Sequence, residues 1–135
     1  MAKNIEVFHQ HPFLRFPRKK AIELVNEVIK REKFFTEKIS VIFVNDKKIK
    51  YLHIQYLQLS SVTDAITFRY NEGKKIEGEI YICLDQAQRQ AKNYAQTFTQ
   101  EVSRLIVHGA LHLVGYTDNT NQLREAMREK ENFYF

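Results

Sequence analysis

The stretch "EVSRLIVHGALHLVGYTD", at 101–118, most constrains how this chain can fold. Its apolar residues have helical spacing over about 99–114, and Gly115 can adopt the left-handed conformation that ends a helix. His108 and His112 are separated by one turn, so both imidazoles point to the same face of this helix. The pattern leaves two interpretations: a metal site, or a buried helix end that happens to contain two histidines.

Segments typical of strands and helices alternate along the rest of the chain. Runs of apolar and β-branched residues predict strands over 5–8, 38–45, 63–70 and 76–84, the last two as an antiparallel hairpin. Helical periodicity and capping residues predict further helices after Pro17, over 47–57, after Asp85 and over 121–135. This order predicts an α+β fold, with a small mixed β-sheet packed with helices on one or both faces.

Length, composition and charge narrow the class of protein. A chain of 135 residues, 44% hydrophobic and 27% charged, is expected to form one domain over 1–135. No apolar run has the length of a membrane span, the N-terminus lacks an apolar signal core, and Cys83 is the only cysteine. We therefore expect a cytoplasmic protein with no membrane partner, and Cys83 as a buried strand residue. The net charge of +5 is compatible with a polyanionic partner such as RNA.

The residues after the two histidines extend the metal interpretation. Gly115 allows the chain to turn back, and Asp118 lies six residues beyond His112, where a returning loop could bring its carboxylate to the same ion. Two imidazoles and one carboxylate suit zinc with an open position for water, and nickel or another divalent ion would also fit. The sequence therefore predicts a site formed by His108, His112 and Asp118, at a helix C-terminus and the following loop.

The spacing H-x-x-x-H-x-x-G-x-x-D is that of the metzincin proteases with the last histidine replaced. Those enzymes carry glutamate directly after the first histidine, as general base for the attacking water. Here that position is Gly109, which has no side chain to accept a proton. Peptide hydrolysis would therefore lack its usual base, whereas a cation with an open site could still hold a phosphate oxygen and orient water.

Several motifs, in order, resemble the YbeY family of bacterial single-strand-specific metallo-endoribonucleases. The segment "HGALHLVGY" is similar to that family's H-G-x-L-H-L-x-G-Y-D-H signature. Upstream, "TDAITF" (63–68) resembles a T-D-x-L-S-F strand, and "GEIYIC" (78–83) a G-D-I-x-I strand. Near the end, "MREKE" (127–131) resembles a terminal M-x-x-x-E. The resemblance covers the chain from about residue 40 to the end.

The resemblance implies an α+β fold with one zinc ion, Zn2+, held by three side chains. It also implies single-stranded ribosomal RNA as substrate, maturation of the 3′ end of the small-subunit RNA, ribosome quality control and the small ribosomal subunit as partner. The ligands carry over as His108, His112 and, where most of the family has histidine, Asp118. Aspartate is a competent zinc ligand, but it lowers the charge of the site by one and weakens the attraction for phosphate.

A second departure concerns an arginine that family members commonly carry just after an aromatic residue, before the T-D strand. The matching residue here is Leu57, which cannot clamp a phosphate. Arg104, one turn before His108, and Arg69, at the end of the "ITFRY" strand, are candidate phosphate contacts. For each arginine, a surface position or a structural ion pair is the alternative.

The proposed activity, a zinc-dependent endoribonuclease, has two alternatives at the same site. One is a metal-dependent hydrolase of peptides or small molecules, and the other is a non-catalytic ribosome-associated protein with structural zinc.

The sequence also suggests surroundings for His53 and Tyr116. His53 is predicted to be a partly exposed helix residue, and Tyr116 to pack under the site with its hydroxyl available to support a ligand.

Overall fold

The computed structural model describes residues 4–57 and 63–134, with the backbone alone at Leu57. Four strands cover Ile5–His9 (β1), Phe35–Val44 (β2), Ala65–Arg69 (β3) and Lys75–Cys83 (β4). Five helices cover Arg18–Arg31 (α1), Asp46–Leu57 (α2), Leu84–Asn93 (α3), Phe98–Leu113 (α4) and Asn121–Tyr134 (α5). The predicted α+β fold with a small mixed sheet is confirmed.

The strands form one sheet in the order β1-β2-β4-β3. β1 and β4 run parallel to β2, whereas β3 pairs with β4 in the antiparallel direction, as expected for the predicted hairpin. A parallel pair requires a crossover connection, and α1 supplies it between β1 and β2. In the described part of the chain, β3 is therefore an edge strand.

Apolar side chains are buried on both faces of the sheet. On one face α1, α3, α4 and α5 cover a large core that includes Val25, Phe43, Ile80 and Leu105. On the other face α2 covers a smaller core. Its buried residues are Ile42, Val44, Ile49, Leu52, Ile66 and Cys83. Because successive strand residues point to opposite faces, the apolar runs of β2 and β4 supply both cores.

Two glycines allow α4 to lie unusually close to the sheet. A Cβ atom on Gly109 would lie 2.5 Å from Cγ2 of Ile80 in β4. A Cβ atom on Gly78 would lie 2.6 Å from both Cδ2 of Leu113 and the carbonyl oxygen of Phe68. Contacts this short are sterically forbidden, so the absence of a side chain at both positions sets the distance between α4 and the β3–β4 hairpin.

Local contacts at Thr97 and Asp85 stabilise helix starts, and Cys83 is buried as predicted. α4 begins with a capping box. The Thr97 side-chain oxygen accepts a hydrogen bond from the backbone N–H of Gln100, and the Gln100 side-chain oxygen accepts one from the backbone N–H of Thr97. Asp85, expected to cap α3, instead accepts a hydrogen bond from the backbone N–H of Asp46 at the start of α2, 2.9 Å away. Cys83 is fully buried, and burial raises the pKa of its thiol to about 12.

None of the described helices is long and apolar enough to cross a membrane.

Replacing Gly109 with alanine should destabilise the protein by about 1–3 kcal/mol, because the new methyl group must push α4 away from Ile80. Urea denaturation at neutral pH measures this change. Ser103→Ala in the same helix is the matched control. The buried Ser103 hydroxyl has no hydrogen-bond partner among the residues that the structure describes, so its removal should leave stability unchanged or raise it. Equal stability of Gly109→Ala and wild type would contradict the proposed close contact.

Candidate metal centre

His108, His112 and Asp118 come together at the C-terminal end of α4, as the spacing predicted. The Nε2 atoms of the two histidines lie 3.0 Å apart, and Oδ2 of Asp118 lies 3.7 and 3.8 Å from them. These three distances admit one ion at about 2.1 Å from all three atoms, an ordinary ligand distance for zinc. Asp118 is 42% exposed, so the site is open to solvent on one side.

The second nitrogen of each imidazole contacts a group that can only accept a hydrogen bond. Nδ1 of His108 lies 2.5 Å from Oε2 of Glu131 in α5. Nδ1 of His112 lies 2.9 Å from the backbone carbonyl oxygen of Tyr116. Both Nδ1 atoms must therefore carry hydrogen and donate it, which leaves the Nε2 lone pairs directed at each other.

In the neutral imidazoles, two lone pairs 3.0 Å apart repel each other unless a proton or a metal ion lies between them. The donor atoms therefore fit a metal ion, and their chemistry is that of a zinc site with two imidazoles and one carboxylate. Burial, together with the positive charge of His108 when protonated, lowers the pKa of His112 below its usual value. This favours the neutral imidazole, the form that binds metal.

Glu131 is the residue of this site that sequence analysis missed. Its side chain is 6% exposed, and its Oε1 accepts a hydrogen bond of 3.3 Å from Arg104. Arg104 also binds the buried Glu101 with bonds of 2.6 and 3.1 Å, and these bonds raise the pKa of the guanidinium. A continuous chain of Glu101, Arg104, Glu131 and His108 thus links α4 to α5 beneath the site. The M-x-x-x-E pattern contained Glu131, but its contact spans 23 residues and was not predictable from local spacing.

The loop that carries Asp118 is anchored through Tyr116. Gly115 has a φ of +105°, the left-handed conformation predicted at the helix end. The Tyr116 hydroxyl donates to Glu32 at the end of α1, so the expectation that this hydroxyl supports a ligand is wrong, and the backbone carbonyl does so instead. Glu32 also accepts hydrogen bonds from Lys130 and Tyr134 of α5. Although burial opposes ionisation, these three donors lower the pKa of the Glu32 carboxyl.

A cleft of about 400 Å³ opens beside the two histidines. Its walls are the β3 residues 65–69, His53 of α2 and the loop residues 115–117. His53 is only 8% exposed, so the expectation of a partly exposed residue is wrong. Since the cleft contains residues from both faces of β3, it runs along the open edge of this strand.

The two arginines singled out from the sequence lie in different surroundings. Arg69 lines the cleft, and its three hydrogen bonds go to neutral oxygen atoms of Asn71, Gly73 and Leu113. Arg104 lines a separate cavity and is paired with two carboxylates. Leu57 ends α2, and its side chain lies outside the described residues. The positive charge of Arg69 is therefore not neutralised by its partners, whereas that of Arg104 is.

Fold and site together define a mixed α+β protein with a candidate metal centre at the end of a helix, open to a cleft along an edge strand. The sequence profile of the YbeY family, described as endoribonuclease YbeY, matches residues 8–135. The chain therefore belongs to the YbeY family.

Individual relatives agree with this assignment. A protein of Chloroherpeton thalassium named endoribonuclease YbeY is 40% identical to this chain, over 86% of this chain and 80% of the relative. The corresponding protein of Amoebophilus asiaticus is 38% identical over 97% of this chain and 90% of its own. The solution structure of a Thermotoga maritima protein matches with a TM-score of 0.66 and 27% identity, over 96% of this chain and 85% of that one.

Replacing Glu131 with glutamine should weaken zinc binding about 10- to 100-fold, because a neutral amide holds the imidazole of His108 less strongly than a carboxylate does. Competition with a fluorescent zinc chelator measures the affinity. Glu129→Gln, an exposed position in the same helix, is the control and should bind zinc like wild type. Wild-type affinity in Glu131→Gln would show that this contact does not support the ligand.

Proposed function

We propose that the protein is a zinc-dependent endoribonuclease that cuts single-stranded RNA during ribosomal RNA processing in the cytoplasm. The observation that carries the proposal is the convergence of three metal-ligating atoms beside an open cleft, in a chain whose relatives are named endoribonucleases. Maturation of the 3′ end of the small-subunit RNA, ribosome quality control and contact with the small subunit are the finer roles that the family resemblance suggests.

His108, His112 and Asp118 would hold the zinc ion. A bound zinc ion would supply a Lewis acid for the phosphoryl group and would make water a stronger acid. Glu131 and the Tyr116 carbonyl orient the two imidazoles, so that the Nε2 atoms would be available to hold the ion without rearrangement. The exposed side of the site, near Asp118, is where a phosphodiester would approach from the cleft.

Arg69 is the better of the two candidate phosphate contacts. It lies in the cleft, no carboxylate of residues 4–57 or 63–134 pairs with it, and a guanidinium has donors to spare after three bonds. Arg104 would have to break its bonds with Glu101 and Glu131, which would leave two buried carboxylates without the guanidinium that pairs with both. We therefore propose that Arg69 takes over the role of the arginine that Leu57 replaces.

The geometry disfavours the peptidase alternative. Gly109, the position of the general base in metzincins, faces Ile80 inside the core, so even a longer side chain there would not reach the ion. The non-catalytic alternative predicts zinc binding and ribosome binding without cleavage. Direct assays on RNA distinguish these functions.

Replacing His112 or Asp118 with alanine should remove most bound zinc and abolish RNA cleavage, because the remaining two ligands cannot hold the ion tightly. Metal content per chain is measured by mass spectrometry on tag-free protein, and cleavage on single-stranded and duplex RNA with and without chelator. Asn119→Ala in the same loop is the control. Chelator-resistant cleavage by His112→Ala would contradict the proposal, and zinc binding by the wild type without any cleavage would favour the non-catalytic alternative.

Arg69→Gln should weaken binding of single-stranded RNA and reduce the slope of log affinity against log salt by about 0.7, the value for one lost phosphate contact. Zinc content should stay unchanged. Arg104→Gln should instead lower stability and zinc affinity and leave the salt slope of RNA binding unchanged, because the partners of Arg104 are buried carboxylates. Fluorescence anisotropy across a salt series measures both variants, and an unchanged slope in Arg69→Gln would exclude the assigned contact.

A further inference from the structure

Three aromatic side chains form a row that starts in the cleft: Tyr56 of α2, Phe68 of β3 and Tyr70 just after β3. The ring centroids of Tyr56 and Phe68 are 5.2 Å apart, and those of Phe68 and Tyr70 are 6.4 Å apart with an angle of 15° between the rings. Phe68 lines the cleft together with His108 and His112. The row, hereafter the aromatic row, is therefore continuous with the candidate metal centre.

Burial in the core does not explain the two tyrosines. Tyr56 is 61% exposed and Tyr70 is 58% exposed, whereas Phe68 packs against the small core beneath α2. The Tyr70 hydroxyl donates a 2.6 Å hydrogen bond to Glu79, which holds the ring by its polar end. Tyr70 therefore presents an ordered and largely exposed ring beside Phe68.

Arg69 places a positive charge next to the aromatic row. Arg69, between Phe68 and Tyr70 in the sequence, lines the cleft, and its hydrogen-bond partners among the described residues are neutral. Aromatic rings beside cationic side chains bind single-stranded nucleic acid, since the bases stack on the rings while the cations contact phosphates.

We propose that the aromatic row is a stacking surface for unpaired bases, which positions the neighbouring phosphodiester at the metal centre. This inference rests on the proposed function and supplies a physical basis for a preference for single strands. Bases in a duplex are already stacked on each other and cannot lie on protein rings, whereas unpaired bases can. Phe68 is the inner end of the row, and Tyr56 and Tyr70 extend it onto the surface.

The test measures binding of a labelled single-stranded deoxyribonucleotide probe to the zinc-loaded protein, with the intactness of the probe checked on a gel. Tyr70→Ala and Tyr56→Ala should each bind about tenfold more weakly. Tyr70→Phe keeps the ring and should bind like wild type. Tyr94→Ala, at a tyrosine that is 71% exposed but lines a different cavity, is the control and should also bind like wild type.

A second probe of the same length, with abasic sites in place of the bases, separates stacking from a structural effect. If bases stack on the aromatic row, the alanine variants and wild type should bind the abasic probe equally. Unchanged binding of the normal probe, or an equal loss with both probes, would overturn the proposal. Cleavage is not part of this readout, so a protein that stacks bases but cuts no RNA would contradict the proposed enzyme activity and leave the stacking surface supported.

Discussion

The close contact between α4 and the β3–β4 hairpin is the constraint on which the site depends. Gly109 lies between the two histidines and against Ile80, and Gly78 receives Leu113 one turn further along. With α4 held this near, the same short helix segment supplies both imidazoles and one wall of the cleft along β3. The requirement for glycine also explains why this position cannot hold a general base. At Gly109, close packing against Ile80 requires the absence of a side chain, and this absence removes the general base that peptide hydrolysis would need.

A second constraint is the chain of buried charges beneath His108. The side chains of Glu101 and Glu131 are 2% and 6% exposed, and the bonds of Arg104 to both offset the cost of burying two carboxylates. This arrangement brings α5 against α4 at the level of the first metal ligand. Glu32 does the same for the loop, since it binds Tyr116 from one side and Lys130 and Tyr134 of α5 from the other. His108 is thus bonded directly to α5, and the loop is bonded to α5 through Glu32.

Local patterns in the sequence predicted the strands, the helices and the three converging donor atoms, because period, caps and glycine placement act over a few residues. They did not predict the partners that reach the site from elsewhere. Glu131 is 23 residues from His108, and Glu32 is 84 residues from Tyr116. His53 was misjudged for the same reason, since its burial results from α2 packing beside a strand that follows later in the chain. Asp85 was assigned to its own helix, yet it binds the backbone at the start of α2.

The charge of the site gives a physical reason for the position of Arg69. Asp118, Glu101 and Glu131 bring three negative charges to the connected group around the histidines, and Arg104 balances one of them. A divalent ion would therefore make this group neutral, whereas histidine in place of Asp118 would leave it with a positive charge. A neutral centre attracts phosphate less strongly, so the attraction must come from cations outside the connected group. Arg69 lies in the same cleft, and its partners within the described part of the chain are neutral, which makes its charge available for that purpose.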